Sequence, residues 1–466
     1  MRANIAVLVI AVALAGCTTI PPQNQPLKEE VGDGGYRLSN IPPGKNNSDS
    51  LFVLLAFSGG GSRAAAFSYG VLEKLRDTEI GWEGEPHRLL EEVDVISSVS
   101  GGSLPAAYYG LFGDRIFEDF SDKVLCRNIG RDLIKQVFVP LNMVRLFSPR
   151  FGRTDILAKM FTSDIYEGKT FADLIDRHER PFLVINSTDI ALGSRFEFTQ
   201  QQFDLLNSDL SSYPIGFAVA ASSAYPGYLT PVTLRNYPKG PDFHPPKWIA
   251  QEQERDDPSR IRYPLFRDYQ SYLLPGSPYV QLVDGGVSDN LGILPVIQFA
   301  GAAAPRDSIQ IDSKKTAVKN FIIILVNAKQ PGHVDYNTQQ KVINVFKVLL
   351  AAGEKPMTNF STLETAYLRT YIRTLTEKQR IREHIAKISG EEEIKRKLPE
   401  LDTPDTDYYF IEVAFDGLSD EQEKTYLNNI PTAFRLNREQ VDRLRRSADT
   451  LLDTHPDFQK LLEELR

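Results

Sequence analysis

Val93-Asp94-Val95-Ile96-Ser97-Ser98-Val99-Ser100-Gly101-Gly102-Ser103 is the stretch whose reading decides the fold. Val93, Val95 and Ile96 favour a strand. The Ser-x-Ser-x-Gly run after them is small enough for a sharp turn, and Leu104 to Gly110 is compatible with a helix. Strand, tight turn and helix in that order make a nucleophile elbow, whose turn pushes the nucleophile's oxygen out above the sheet. Ser100 is the central residue. The first residue of the pattern, usually Gly, is Ser98. Taken alone, the stretch reads equally well as a small-residue turn without chemistry, so the surrounding chain has to decide.

Upstream, Leu51 to Phe57 is a continuous apolar run, as expected of a strand buried on both faces. Ser58-Gly59-Gly60-Gly61-Ser62-Arg63 follows it, and Ala64 to Arg76 has apolar residues at helical spacing. Downstream, Phe182 to Ser187, Tyr279 to Val283, Phe321 to Asn327 and Tyr408 to Ala414 read as strands, and Arg195 to Thr199 as an edge hairpin strand. Helical stretches alternate with these strands, which predicts an α/β fold with a mostly parallel central sheet. In such sheets ligands bind beyond the carboxyl ends of the strands. The glycine run, Ser100 and Asp284-Gly285-Gly286 are all expected at that edge.

Outside this body the chain changes character. Arg2 followed by the apolar run Ala3 to Leu14 is too short for a membrane span. Leu14-Ala15-Gly16-Cys17 closes it and resembles the lipobox of bacterial lipoproteins, which implies a signal peptide over residues 1–16 and lipidation of Cys17. An ordinary secretory signal with a chance Cys is the other reading. Thr18 after the Cys implies, by the same resemblance, sorting to the outer membrane of a Gram-negative envelope. Residues 17–50 are rich in Gly, Pro and Asn and are expected to be a flexible tether. Cys126 is the only other cysteine, so the mature chain is expected to have no intrachain disulfide and no thiolate metal cluster. The net charge of −8 argues against nucleic acid as a partner.

Two regions read as insertions. Gly113 to Phe151 carries apolar residues at helical spacing and suits either a lipid-facing cap or an ordinary helical layer. Arg235 to Pro278 is polar, Pro-rich and long for a plain connection, as a lid or a domain-edge excursion would be. Thr374 to Lys397 mixes charges densely and reads as a solvated helical face.

A hydrolytic serine needs a base, donors for the oxyanion and a seat for the acyl group. Gly59, Gly60 and Gly61, between a strand and a helix start, can offer backbone N–H groups to an oxyanion. No Gly-Lys-Ser/Thr follows, so this is not a P-loop. Arg63 is a candidate for a phospholipid head group. Two bases are open. His333 follows a buried strand and fits the order Ser100, Asp284, His333 of an α/β-hydrolase triad. Asp284 is the other; a carboxylate near pKa 4 is a weak base, and burial would strengthen it.

Together, Ser58-Gly59-Gly60-Gly61-Ser62-Arg63, Ser98-Val99-Ser100-Gly101-Gly102 and Asp284-Gly285-Gly286 resemble the patatin-like phospholipases, as does Ala221-Ser222-Ser223-Ala224-Tyr225-Pro226. The resemblance covers roughly Leu51 to Asn327. It implies a patatin-like three-layer fold and a Ser–Asp dyad without histidine: Ser100 as nucleophile, Asp284 as its activator, and the glycine run, chiefly near Gly60 and Gly61, as oxyanion hole. Two positions depart from the family pattern, Ser58 for its opening Asp and Ser98 for its elbow Gly.

The expectation is therefore a catalytic domain over residues 51–330 and a mainly helical C-terminal region with one strand over 331–466. The function expected is a membrane-anchored serine acyl hydrolase of lipid carboxylic esters, a phospholipase A or lysophospholipase. Membrane lipids would be both substrate and anchor surface, with no cofactor and no metal. The departures at Ser58 and Ser98 keep a second class open, a catalytically weak envelope scaffold or lipid-binding protein.

Overall fold

The computed structural model describes residues 24–28, 31–84, 86–241, 243–245, 249, 263–300, 318–329, 345–390 and 406–466. At its centre is an eight-stranded sheet. Its strands are β1 (Leu51–Phe57), β2 (Val93–Val99), β3 (Phe182–Asp189), β4 (Ser194–Glu197), β5 (Val232–Arg235), β6 (Tyr279–Asp284), β7 (Asn320–Asn327) and β8 (Asp407–Ala414). The spatial order is β8-β7-β1-β2-β3-β6-β5, with β4 pairing β3 off this path. From β8 to β3 all pairs are parallel. β6 then runs antiparallel to β3 and to β5.

Every residue of β1, β2, β3 and β7 is buried, so both faces of the sheet's middle are covered. The apolar runs of β1 and β7 supply this layer, each fully buried large side chain contributing roughly 1.5–3 kcal/mol. Helices α1 (Gly61–Asp77) and α2 (Ser103–Phe112) follow β1 and β2 directly. They are followed along the chain by α3 (Ile129–Val137), α4 (Pro140–Arg145), α5 (Arg153–Met160), α6 (Ile215–Ser222), the long α7 (Val345–Ser389) and α8 (Arg438–Asp453).

The C-terminal residues are built into this body. β8 extends the sheet beside β7, and α8 packs along α1. Gly70 of α1 lets the two helices meet closely, since a Cβ there would lie 2.7 Å from Arg445 Cα. Glu73 accepts both ends of the Arg445 guanidinium, at 2.7 and 2.6 Å.

The expected tether needs correction from residue 24 onward. Gln25–Pro26 pairs with Ser208–Asp209. Tyr36, Leu38 and Ile41 are buried in the core. Tyr36 stacks on Phe182 with ring centroids 4.6 Å apart, and its hydroxyl oxygen accepts the Leu183 N–H at 2.7 Å. Gly and Pro set the path here, but three apolar anchors fasten it. Cys17 and the rest of the expected signal peptide lie outside the described residues.

The Arg235 to Pro278 excursion joins two antiparallel neighbours of the sheet, β5, which ends at Arg235, and β6, and Asn236 ties it back through Nδ2 to the Tyr272 and Ser277 carbonyls at 2.9 and 3.0 Å. No helix among the described residues is long and apolar enough to cross a membrane.

Candidate active site

The elbow forms where β2 ends. Ser100 takes φ +51°, a left-handed conformation that side chains other than glycine rarely adopt, and lies at the head of α2. Its neighbours must be small. A Cβ on Gly101 would fall 1.9 Å from the Gly61 carbonyl oxygen, and one on Gly102 would fall 2.7 Å from that of Ser58. The glycine run and the elbow thus touch backbone to backbone. Ser98 lies one step earlier, inside the ladder between Phe57 and Ile185, with no positive φ. A serine fits there without strain, which explains the departure from glycine.

Asp284 ends β6 and stands opposite Ser187 of β3. Because β6 runs antiparallel to β3, the carboxylate reaches the carboxyl edge of the parallel strands from the opposite direction. Ser100 Oγ donates to Asp284 Oδ2 at 2.8 Å, and the Gly286 N–H donates to Oδ1 at 2.8 Å. Burial pushes the Asp284 carboxyl up to about 6, against the opposing pull of the Gly286 N–H and the Ser100 hydroxyl. Neither Ser100 nor Asp284 bonds to a histidine among the described residues. His333 lies outside them.

One segment spaces the two groups. Ser222 Oγ accepts the Ser100 N–H at 2.8 Å and donates to the Asn186 carbonyl at 2.6 Å. The Ser222 carbonyl accepts the Gly285 N–H, and the Ala224 carbonyl accepts the Asp284 N–H. Thr188 Oγ1 donates to the Asp284 carbonyl at 2.9 Å. Ser222 and Thr188 are absent from the residues singled out in sequence. Only the Ser-Ser-Ala of the segment at 221–226 points to Ser222, and nothing local points to Thr188.

The three glycines differ. The Gly59 N–H is spent on the Asn290 carbonyl at 2.9 Å, so Gly59 does not belong among the oxyanion donors. The Gly60 and Gly61 N–H groups have no acceptor among the described residues and sit at the start of α1, whose dipole favours negative charge. Ser58 Oγ accepts the Ala328 N–H at 2.9 Å, a tie that needs only an oxygen and that a hydroxyl can make.

Arg63 also needs correction. It is 2% exposed, and its guanidinium donates to the Ala328 carbonyl at 3.0 Å, to the Ile430 carbonyl and to Thr432 Oγ1. It holds the C-terminal segment against the glycine run and is not available to a head group. The Ser62 N–H donates to the Ala433 carbonyl at 2.9 Å in the same seam.

Near Ser100 and Asp284 runs a groove of about 690 Å³, lined by Tyr225, Pro226, Val287, Met357, Phe360 and Leu363 among others. A Cβ on Gly286 would meet both the Met357 methyl, at 2.9 Å, and Asp284 Oδ1, at 3.1 Å. The groove therefore begins next to the carboxylate. No group of three or more His, Cys, Asp or Glu side chains among the described residues could hold a metal ion.

The elbow, the facing carboxylate and the glycine run on a mostly parallel sheet define a serine-hydrolase type of site. Residues 55–297, just over half of the chain, match the family model of patatin-like phospholipase. The chain belongs to the patatin-like phospholipase family. No curated protein matches it. Among solved structures it is similar to human GIVD cytosolic phospholipase A2, at 14% identity and a TM-score of 0.46, covering 90% of this chain and 60% of that one. The same human protein in complex with methyl gamma-linolenyl fluorophosphonate and terbium chloride gives 14% identity and a TM-score of 0.35, covering 90% and 59%. The chain thus spans about 60% of the length of these structures.

Proposed function

We propose that the protein is a serine acyl hydrolase of lipid carboxylic esters, phospholipids first, working through a Ser100–Asp284 dyad. The observation that carries this reading is the direct 2.8 Å hydrogen bond from Ser100 Oγ to Asp284 Oδ2. At that separation no imidazole fits between the two groups. Ser100 Oγ attacks the acyl carbonyl carbon as Asp284 Oδ2 takes its proton. The negative oxygen of the tetrahedral intermediate is held by the Gly60 and Gly61 N–H groups at the start of α1. Asp284 then passes the proton to the leaving alcohol, and the acyl group stays on Ser100. Water, deprotonated by Asp284, attacks the ester and releases the carboxylic acid, returning the proton to Ser100. The groove beside Gly286 seats the acyl chain.

Ser58 and Ser98, which favour a scaffold when read in sequence, both have local structural uses, so neither supports an inactive site. Lipidation at Cys17 and an outer-membrane location complete the proposal and rest on the lipobox-like sequence. Labelling with a fluorophosphonate tests the chemistry. The wild type should be labelled at Ser100 and Ser100→Ala should not, and lipid profiles of treated membranes should show fatty acid released only by the wild type. Equal labelling of both proteins would overturn the assignment of the nucleophile.

A further inference from the structure

We propose that the face formed by α3, α4 and the residues up to Phe151 is a docking surface for an anionic lipid membrane. This deepens the acyl hydrolase reading, on which its purpose rests, by naming the surface from which the ester is drawn.

Among the described residues the face is apolar and uncovered. Of the nine residues of α3 only Ile129 and Leu133 are buried, and α4 buries none. Ile134, Leu141 and Met143 are exposed, and Phe138 and Phe147 stand out furthest, at 67% and 78% exposure. This is the strongest concentration of exposed large apolar side chains on the described body. Such clusters mark interaction sites.

Its rim is basic in a chain of net charge −8. From Ile129 to Lys159 there are six Lys and Arg and only two Asp. Both acids are engaged: Asp132 accepts from Arg127 at 2.9 Å, and Asp155 turns back to the Gly152 N–H at 2.7 Å. Arg131 and Lys135 are 66% and 65% exposed at their side chains and lie only loosely near Asp132. Aromatic side chains within a basic rim suit a surface that is anionic outside and apolar beneath. A second copy of the chain fits worse, because a two-fold pairing would set two basic rims against each other.

The face is also moored at both sides of the site. A Cβ on Gly130 would meet Phe434 at 3.5 Å, and the adjoining Ala433 carbonyl lies 2.7 Å from a Cβ on Gly61. At the other end Thr154 Oγ1 donates to the Thr230 carbonyl, four residues beyond Pro226 of the groove. A membrane on this face would meet the rim of the groove.

Hydrogen–deuterium exchange on the full chain reads the face directly, whatever an anchor at Cys17 contributes. With phosphatidylglycerol vesicles, residues 134–147 should exchange about tenfold more slowly, and much less so with phosphatidylcholine. Arg131→Glu with Lys135→Glu should remove most of that protection. Phe138→Ser with Phe147→Ser should cut hydrolysis of vesicle lipid about tenfold at an unchanged rate on a soluble short-chain ester. The proposal is overturned if these residues stay unprotected, if the charge-reversed chain is protected equally, or if protection needs no vesicle and grows with protein concentration, as pairing of copies would. If neither ester is hydrolysed while residues 134–147 are protected, the docking surface stands and the hydrolase reading falls.

Discussion

The two halves of the proposed dyad are held in different ways. Ser100 takes its exposure from a local left-handed turn between a parallel strand and a helix, with Gly101 pressed on Gly61 and Ser222 accepting its N–H from a distance. Asp284 sits at the end of an antiparallel strand and is placed by segments distant in sequence: Ala224, Ser222 and Thr188 hold its backbone and that of Gly285. A nucleophile can be built by a turn, because exposure of one oxygen is a local property. A base must lie at a set distance from that oxygen, which only long-range contacts can set.

The contrast can be tested from its largest effect downward. Ser100→Ala and Asp284→Asn should each lower kcat about 10,000-fold, as removal of a member of a catalytic unit does. Their stabilities should differ in an instructive way. The folded state binds the Asp284 proton more tightly than the unfolded chain does, so this group's stabilisation is present in acid and lost as pH rises through about 6. Asp284→Asn should therefore be inactive but no less stable than wild type at pH 8 in thermal unfolding. A large loss of stability there would mean that the carboxylate is structural.

Gly101→Ala probes the local half. A Cβ 1.9 Å from the Gly61 carbonyl forces the backbone apart and should cost about 3 kcal/mol, read as a fall in unfolding midpoint together with lost labelling. Ser222→Ala probes the joint between the halves. It leaves the buried Ser100 N–H without its acceptor, a cost of about 1–3 kcal/mol, and should lower kcat about 10–100-fold with KM unchanged. An unaltered kcat would show that the turn alone positions Ser100.

Acidification acts on the other half. The base must be ionised, so kcat/KM should fall about tenfold per pH unit below about 6 and stay flat above it until other groups titrate. A limb near 4 would mean that burial does not raise the Asp284 carboxyl, and a limb at about 7 or above would mean that another group is the base. Ser98→Gly should have the smallest effect, under about 1 kcal/mol of stability and no change in kcat, because its hydroxyl makes only a 3.4 Å contact with the Val184 carbonyl.

Much of this site is legible along the chain. The strand-turn-helix at Ser100, the glycine run and Asp284 lie in continuous motifs whose residue types answer to local geometry. The misreadings share a cause. Arg63 looks like a free cation in sequence, yet Ile430 and Thr432, more than 360 positions away, take its donors. Gly59 looks equivalent to its neighbours until the Asn290 carbonyl claims its N–H. Tyr36, Leu38 and Ile41 are too sparse among Gly and Pro to announce a packed segment, and β5 is too short to stand out from the loop it opens.

By itself the sequence determined the α/β order of elements, the elbow, the glycine run and the acid at the end of a later strand, because periodicity and turn chemistry act over a few residues. The tertiary structure decided the direction of β6, the 2.8 Å between Ser100 and Asp284 and, among the described residues, which glycine N–H groups stay open and which apolar helices remain uncovered. Those are outcomes of register and packing between segments tens to hundreds of residues apart, and no local run of residues encodes them.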